Sequence, residues 1–275
     1  MSHHHAPAMK LLAAPFIIML LGLIGWPLAM VLLDSFRSGS AWSLGNYAEI
    51  LTSAYYGQGF VNSLLISLLT TAIGMVAGFF VAVSLRYRKG GTRRLAMALA
   101  NIGANFSGVP LAMALVFLLG LNGTLTLLLK ASGLIDTFNV YSLTGLIIAY
   151  TYFQVALAVL LITPVMAAIE PELEEAASIM GIGTGRFWLR VGLPVIARQM
   201  IAITTLLFAN SMGTYATTLA LTSTSVNVVT IRISELVSGD VFSDPNLANA
   251  IAILLLLLLA VPIVLSQIST KEERR

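Results

Sequence analysis

Six apolar stretches, at roughly 11–33, 61–85, 95–121, 143–167, 195–221 and 246–266, leave this chain little choice of fold. Each matches the roughly 20 residues that an α-helix needs to cross a hydrocarbon core. Apart from Arg198 near an end, none contains Asp, Glu, Lys or Arg. In lipid every backbone N–H and C=O must be satisfied inside the spanning structure. A membrane β-barrel would instead show weaker segments of about 10 residues with alternating polarity. Charged residues make up 10% of the 275, against about 25% in a soluble domain, so the chain cannot cover itself with a wettable surface. The expectation is an all-α integral membrane protein, one transmembrane domain over residues 1–275 with about six spans.

Basic residues resist translocation and so mark the inner side of a membrane. The segment "RYRKGGTRR" carries Arg86, Arg88, Lys89, Arg93 and Arg94 between the second and third stretches. Lys10, Arg186, Arg190, Arg198, Lys271, Arg274 and Arg275 fall on the same side of a six-span arrangement, which places 12 of the 15 basic residues together. Arg37, Lys130 and Arg232 are left on the other side. Both termini and the segment 168–194 are therefore expected in the cytoplasm. The net charge of +3 reflects this topology, and nucleic acid is not an expected partner. On the outer side, Trp42, Tyr47, Tyr55 and Tyr56 suit a short interfacial helix between the first two spans. Asp244 and Pro245 read as the cap and first turn of the last helix.

Several chemistries are excluded. The chain has no cysteine, and its only histidines are His3, His4 and His5, which are set aside as a terminal tract; imidazole or thiolate metal ligation and catalysis have no donors elsewhere. No Gly-Lys pair occurs, so the phosphate-cradling Gly-x-x-x-x-Gly-Lys-Ser/Thr loop is missing. Carriers driven by proton gradients rely on ionisable groups at membrane depth, and the spans hold none. An intramembrane enzyme would need paired carboxylates or a Ser–His arrangement there. The polar residues within or near the spans are Asn101, Asn105 and Ser107, then Tyr150 and Gln154, then Asn210, Ser211, Thr214 and Tyr215. Any one of them can be glue between helices. Clustered in the third to fifth spans, Asn105, Tyr150, Gln154, Asn210, Thr214 and Tyr215 are candidates for a translocation path. Gly74 and Gly78, four apart, allow close helix packing. Pro110, Pro164 and Pro262 are expected to break or kink their helices. The last stretch, with no polar face, is expected at the periphery.

The segment 168–194 stands apart. "EPELEEAASIMG" has Pro171 in a first turn, Glu172, Glu174 and Glu175 where the helix dipole favours acids, and Gly181 where a left-handed backbone ends a helix. Ala176, Ile179 and Met180 form an apolar strip at three- and four-residue spacing. "GIGTG" then makes a hinge, and Thr184 is placed to cap a second helix through Arg186, Phe187, Trp188 and Arg190. Such an elbow presents small apolar side chains of the kind that enter a groove on another protein.

The spacing Glu175-Ala176-Ala177, three residues, Gly181, nine residues, Val191-x-Leu193-Pro194 resembles the EAA loop of ABC importer permeases, with Val191 in place of Ile as the one departure. The likeness extends to six spans, to Asn46-Tyr47, and to Asn62-Ser63-Leu64 before the second span. It is nearest to the type I importers of the spermidine/putrescine group. The resemblance implies a cytoplasmic coupling helix that docks on a partner ATP-binding-cassette ATPase dimer. Glu175 and Gly181 match the defining positions, and Ala176, Ala177 and Met180 would supply the knob. It further implies a second permease subunit, identical or different, an extracytoplasmic substrate-binding protein, and residence among lipid in a bacterial inner membrane. ATP and Mg²⁺ would belong to the ATPase, leaving no cofactor and no catalysis in this chain. Polyamine is the nearest cargo; phosphonates (aminoethylphosphonate among them), ferric iron and thiamine are alternatives, and a gradient-driven carrier acting alone is the rival class.

Overall fold

A computed structural model describes residues 15–39, 41–238 and 243–272. Lys10, His3–His5, Arg274 and Arg275, together with the first positions of the first expected span, lie outside these residues.

Helix α1 spans Pro15–Asp34 with one wider turn at Leu21–Gly25. A two-residue hairpin follows, β1 (Arg37–Ser38) paired antiparallel with β2 (Ala41–Trp42), then α2 (Gly45–Thr52) and the long α3 (Ala54–Arg86). Next come α4 (Gly91–Asn105), α5 (Val109–Leu119), α6 (Thr124–Ala131) and α7 (Leu143–Val165). The elbow consists of α8 (Pro171–Ile179) and α9 (Thr184–Phe187), which runs through a wide turn at Trp188–Gly192 into α10 (Leu193–Met212). Helices α11 (Ala216–Thr222), α12 (Val229–Ser238) and α13 (Pro245–Glu272) complete the chain. Among the described residues, six segments are long and apolar enough to cross a membrane: Pro15–Asp34, Ala54–Arg86, Val109–Ala131, Leu143–Ala168, Thr184–Met212 and Pro245–Val264.

Two expected spans move. The stretch anticipated at 95–121 is interrupted between Asn105 and Val109, where Gly108 takes φ +71 and Pro110 enters the first turn of α5. A positive φ and a missing N–H together stop one helix and start another, so the membrane-long segment begins at Val109. The stretch anticipated at 195–221 begins earlier, at Thr184, and ends at Met212. Hydropathy averages over such breaks and cannot see them.

The chain divides into two compact units. The smaller contains the chain up to Gly57 together with Arg232–Leu258. Its hairpin is pinned by Asn46, whose Nδ2 donates to the carbonyls of Ser35 at 3.0 Å and Arg37 at 2.8 Å, while the Tyr47 hydroxyl lies 2.7 Å from Ser35 Oγ. Arg37 stacks over the Trp42 ring at 5.3 Å. Buried Arg232 bonds Tyr55 and Glu235 and lies over the Tyr55 ring at 4.8 Å. The Asp244 carboxylate accepts from the N–H groups of Asn246 at 3.1 Å and Leu247 at 3.0 Å, the cap read from the sequence. Leu247, Ala248, Ala250, Ile251, Ile253 and Leu255 are buried, whereas Leu256, Leu257, Val261, Ile263 and Val264 are exposed, so the last span buries one part of its surface and leaves the rest open. An apolar side chain suits a protein core as well as lipid, so composition does not separate the two.

The larger unit, Gln58–Ile231 with the chain from Leu259 onward, holds the main core. Ile66, Leu111, Leu146, Phe153 and Ile231 belong to one apolar cluster, and Ala82, Ile162, Phe187, Ile196 and Leu207 to another. Gly74 and Gly78 let α3 meet α7 at backbone range. A Cβ at Gly78 would sit 2.5 Å from Ala158 Cβ, and one at Gly74 would lie 3.2 Å from the Gln154 backbone.

Candidate functional site

The elbow is built from local rules. Glu170 precedes the helix as its extended cap residue, Pro171 takes the first position, where no N–H is needed, and Glu172 and Glu174 lie in the first turn. At the other end Gly181 has φ +73. Its N–H donates to Ser178 O at 3.0 Å, and Ile182 N–H reaches Ala177 O at 2.9 Å. This paired closure satisfies carbonyls that a helix end would leave open. Space around Gly181 is empty, so the backbone angle alone requires glycine there.

Thr184 does not cap the following helix. It occupies the first helical position, Gly183 precedes it as the cap residue, and no side chain caps that end. Phe187 and Trp188 are buried and anchor the elbow. The Trp188 indole meets Phe79 edge-on at 5.6 Å. Gly192 makes room for it, since a Cβ there would stand 2.7 Å from the ring.

The exposed side of α8 differs from the expected knob in one residue. Ile179 and Met180 stand 88% and 70% exposed, and Ala176 and Glu175 are exposed with them. Ala177 is 3% exposed and packs within the cluster of Ile169, Phe187 and Trp188. It belongs to the chain's own core and is withdrawn from the presented surface. One position is 100° of helix, which is enough to turn a side chain from one face to the other. Beside the exposed face lies an open cleft of about 570 Å³ bounded by Glu174, Glu175, Ser178, Ile179, Ile182, Gly183, Thr184 and Phe187.

The expected path residues separate into two groups. Gln154 is 0% exposed. Its Nε2 donates to Leu207 O at 2.8 Å and lies 3.4 Å from Thr71 Oγ1, while Asn210 Nδ2 approaches its Oε1 at 3.4 Å. Tyr150 is also buried; its hydroxyl donates to Thr214 O at 2.9 Å and touches Thr218 Oγ1 at 2.5 Å. Both side chains are engaged across α3, α7, α10 and α11. An amide buried in an apolar bundle is stable only with its bonds made. Asn105, Asn210 and Tyr215 remain exposed, and Thr214 is half-buried. Asn105 Nδ2 donates to Asn101 O at 2.9 Å, and Thr214 Oγ1 to Asn210 O at 2.7 Å.

Sequence reasoning missed the α3 side of this layer. Ser63, Ser67, Thr70 and Thr71 are buried. Thr70 Oγ1 lies 3.2 Å from Ser211 Oγ, and Ser63 Oγ accepts from Val229 N–H at 3.0 Å. A void of about 10 Å³ with Ser63, Ser67, Tyr150, Ser211, Thr214 and Thr230 on its walls is barely the size of one water. The signal was present as small and hydroxyl residues at positions 63, 67, 70, 71, 74 and 78, one face of a single helix. Among the described residues no cluster of three or more His, Cys, Asp or Glu could hold a metal ion.

A family model described as binding-protein-dependent transport system inner membrane component matches residues 74–271, most of the chain and the whole of the elbow. The chain belongs to this family. It is a permease subunit of the ABC importer type and a multi-pass inner-membrane protein. The permease is 25% identical over 208 residues to the trehalose transport system permease protein SugB of Mycobacterium tuberculosis, covering 75% of this chain and 70% of SugB. It is 29% identical over 155 residues to the alpha-glucoside permease protein AglG of Rhizobium meliloti, covering 56% of this chain and 38% of AglG. To the thiamine permease protein ThiP of Escherichia coli it is 27% identical over 190 residues, 68% of this chain and 34% of ThiP. The matched region thus spans little more than a third of the latter two relatives. By fold it is similar to a chain of a bacterial ABC transporter involved in alginate import, with a TM-score of 0.78, 17% identity and coverage of 96% and 95%. A second structure of an alginate ABC transporter, in complex with its alginate pentasaccharide-bound periplasmic protein, gives 0.79 at 15% identity, covering 96% and 94%.

Proposed function

We propose that this permease moves a small hydrophilic solute into the cytoplasm, with energy received through the elbow from a separate ATPase dimer. The observation that carries this reading is α8 itself. A capped helix, anchored from behind by Ala177, Phe187 and Trp188, presents exposed Ile179, Met180 and Ala176 beside an open cleft. Exposed apolar side chains on an otherwise charged segment are the usual mark of a docking surface. Glu175 stands at the rim of that surface, and Gly181 sets its end. The bias of basic residues supports a cytoplasmic elbow and cytoplasmic termini. A second permease subunit completes the path, with Asn105, Asn210, Thr214 and Tyr215 facing it. An extracytoplasmic binding protein supplies the cargo, and closure of the ATPase pair biases the permease between inward- and outward-facing states. Nucleotide and Mg²⁺ are held by the ATPase.

Polyamine, the cargo suggested by the loop's resemblance, gains no support from the relatives, two of which are named for trehalose and alpha-glucoside. The spans also lack the carboxylates that a polycation leaving water would need. The polar groups left open to a path, Asn105, Asn210, Thr214 and Tyr215, are hydroxyls and amides, so a neutral, hydroxyl-rich solute such as an oligosaccharide is the cargo proposed. The test is uptake by proteoliposomes containing the permease, its ATPase and its binding protein. ATP-dependent accumulation of a labelled disaccharide is expected. Uptake of spermidine in its place would overturn the cargo, and uptake by the permease alone would overturn the importer reading.

A further inference from the structure

The elbow is tied to the bundle by more than its own two connections. Arg86, the last residue of α3, donates through one guanidinium nitrogen to Met166 O at 2.6 Å and places Nε 3.7 Å from the Glu174 carboxylate. Tyr87 donates to the other oxygen of that carboxylate. Met166 follows α7 directly, and its carbonyl lies at a helix end, where a cation is favoured. One guanidinium thus joins the ends of α3 and α7 to the first turn of α8. Arg86 and Glu174 are largely shielded, at 13% and 27% side-chain exposure, so water and salt weaken the pair less than a surface bridge. Partial burial, and then the bond to Glu174, raise the Tyr87 pKa above the ordinary tyrosine value, which keeps the hydroxyl a donor at all working pH.

We propose that Arg86 is a positioning residue which, through Glu174 and the Met166 carbonyl, locks α8 to the end of α3 so that displacement of the elbow moves the spanning helices with it. This rests on the importer reading given above. Without the lock, α8 can rock about its two connections, and docking on the ATPase is no longer converted fully into movement of α3. The loss falls on coupling. The ratio of solute taken up to ATP hydrolysed drops, while hydrolysis itself continues.

The experiment measures that ratio in proteoliposomes of the whole transporter. Arg86→Gln is expected to lower it on the order of threefold to tenfold. Arg86→Lys, which keeps the charge but cannot reach both partners, should recover part of the loss. Arg86→Gln with Glu174→Gln should lose no more than Arg86→Gln alone. An unchanged ratio in Arg86→Gln, or additive losses in the double variant, would overturn the proposal. Should Arg86→Gln fail to assemble, the cysteine-free chain offers a second arm. Tyr87→Cys with Glu174→Cys, bridged by a short bis-maleimide, should couple better than the same protein unbridged, and no gain on bridging would overturn the lock. The native complex separates the two readings. If it takes up no solute with ATP, or if Glu175→Lys leaves uptake normal, the importer reading falls and the lock with it. If native uptake is ATP-driven and sensitive to Glu175→Lys, an unchanged Arg86→Gln removes the lock alone.

Discussion

The elbow and the polar layer around Gln154 both interrupt an apolar chain with polar residues, and they use them in opposite ways. In the elbow the groups that open and close α8 serve near neighbours, while Glu174 reaches back to Arg86 and Tyr87. Pro171 and the acids open α8, Gly181 closes it three to four residues after its carbonyl partners, and the apolar face is left for something else. In the layer the buried amide and phenol serve distant groups. Gln154 bonds Leu207 and lies near Thr71, and Tyr150 bonds Thr214, at separations of more than fifty residues, with nothing left over. The difference teaches how a membrane protein can place an interface and a lock with the same side-chain chemistry. Polarity that is satisfied locally leaves a surface free to bind, whereas polarity satisfied across helices holds the bundle together.

Substitutions can break this contrast, and the largest effect is expected where α3 meets α7. Gly78→Leu forces a side chain into Ala158 and should cost about 3 kcal/mol, seen as early loss of monodisperse protein on heating in detergent. Gly181→Ala puts a Cβ on a left-handed backbone and should cost about 1–2 kcal/mol, with ATP-driven uptake reduced because α8 ends badly. Gln154→Met keeps the volume and removes the interhelical bonds, for about 1 kcal/mol. Its signature is lower stability with the ATP coupling ratio kept, the reverse of an elbow variant. Ile179→Ser should change stability by no more than about 0.5 kcal/mol and yet abolish most uptake. If Ile179→Ser unfolded the protein, the exposed face would have to be internal after all. Single cysteines sharpen the contrast without a stability readout. Asn210→Cys and Asn105→Cys should react with a hydrophilic thiol reagent, and Gln154→Cys should stay unreactive.

How much was legible follows the same division. The α8 helix, its proline start and its glycine end could be read because each rests on residues within a turn of one another. The cap at Asp244 was legible for the same reason. Ala177 was misplaced because burial depends on what lies behind the helix, here Phe187 and Trp188, which no local pattern reports. Tyr150 and Gln154 read as path candidates because a polar group in a span has to face either water or a partner, and their partners Thr71, Leu207 and Thr214 leave no mark near them in the sequence. The lock at Arg86 was invisible in principle. Arg86 read as one of five basic residues marking a side of the membrane, and Glu174, 88 residues on, as one of several acids at a helix start.

The amino-acid sequence alone determined that this chain lives in a membrane as about six helices, and that the segment between the fourth and fifth carries a capped helix with an apolar strip. Those properties depend on transfer of side chains from water and on hydrogen bonds within a turn, both of which are written in consecutive residues. Tertiary structure decided where spans break, which polar groups are consumed inside the bundle, which face of α8 is free, and that one arginine ties three helix ends together. Each of these depends on what packs against what, and apolar side chains of similar size give the chain no local mark of their eventual neighbours.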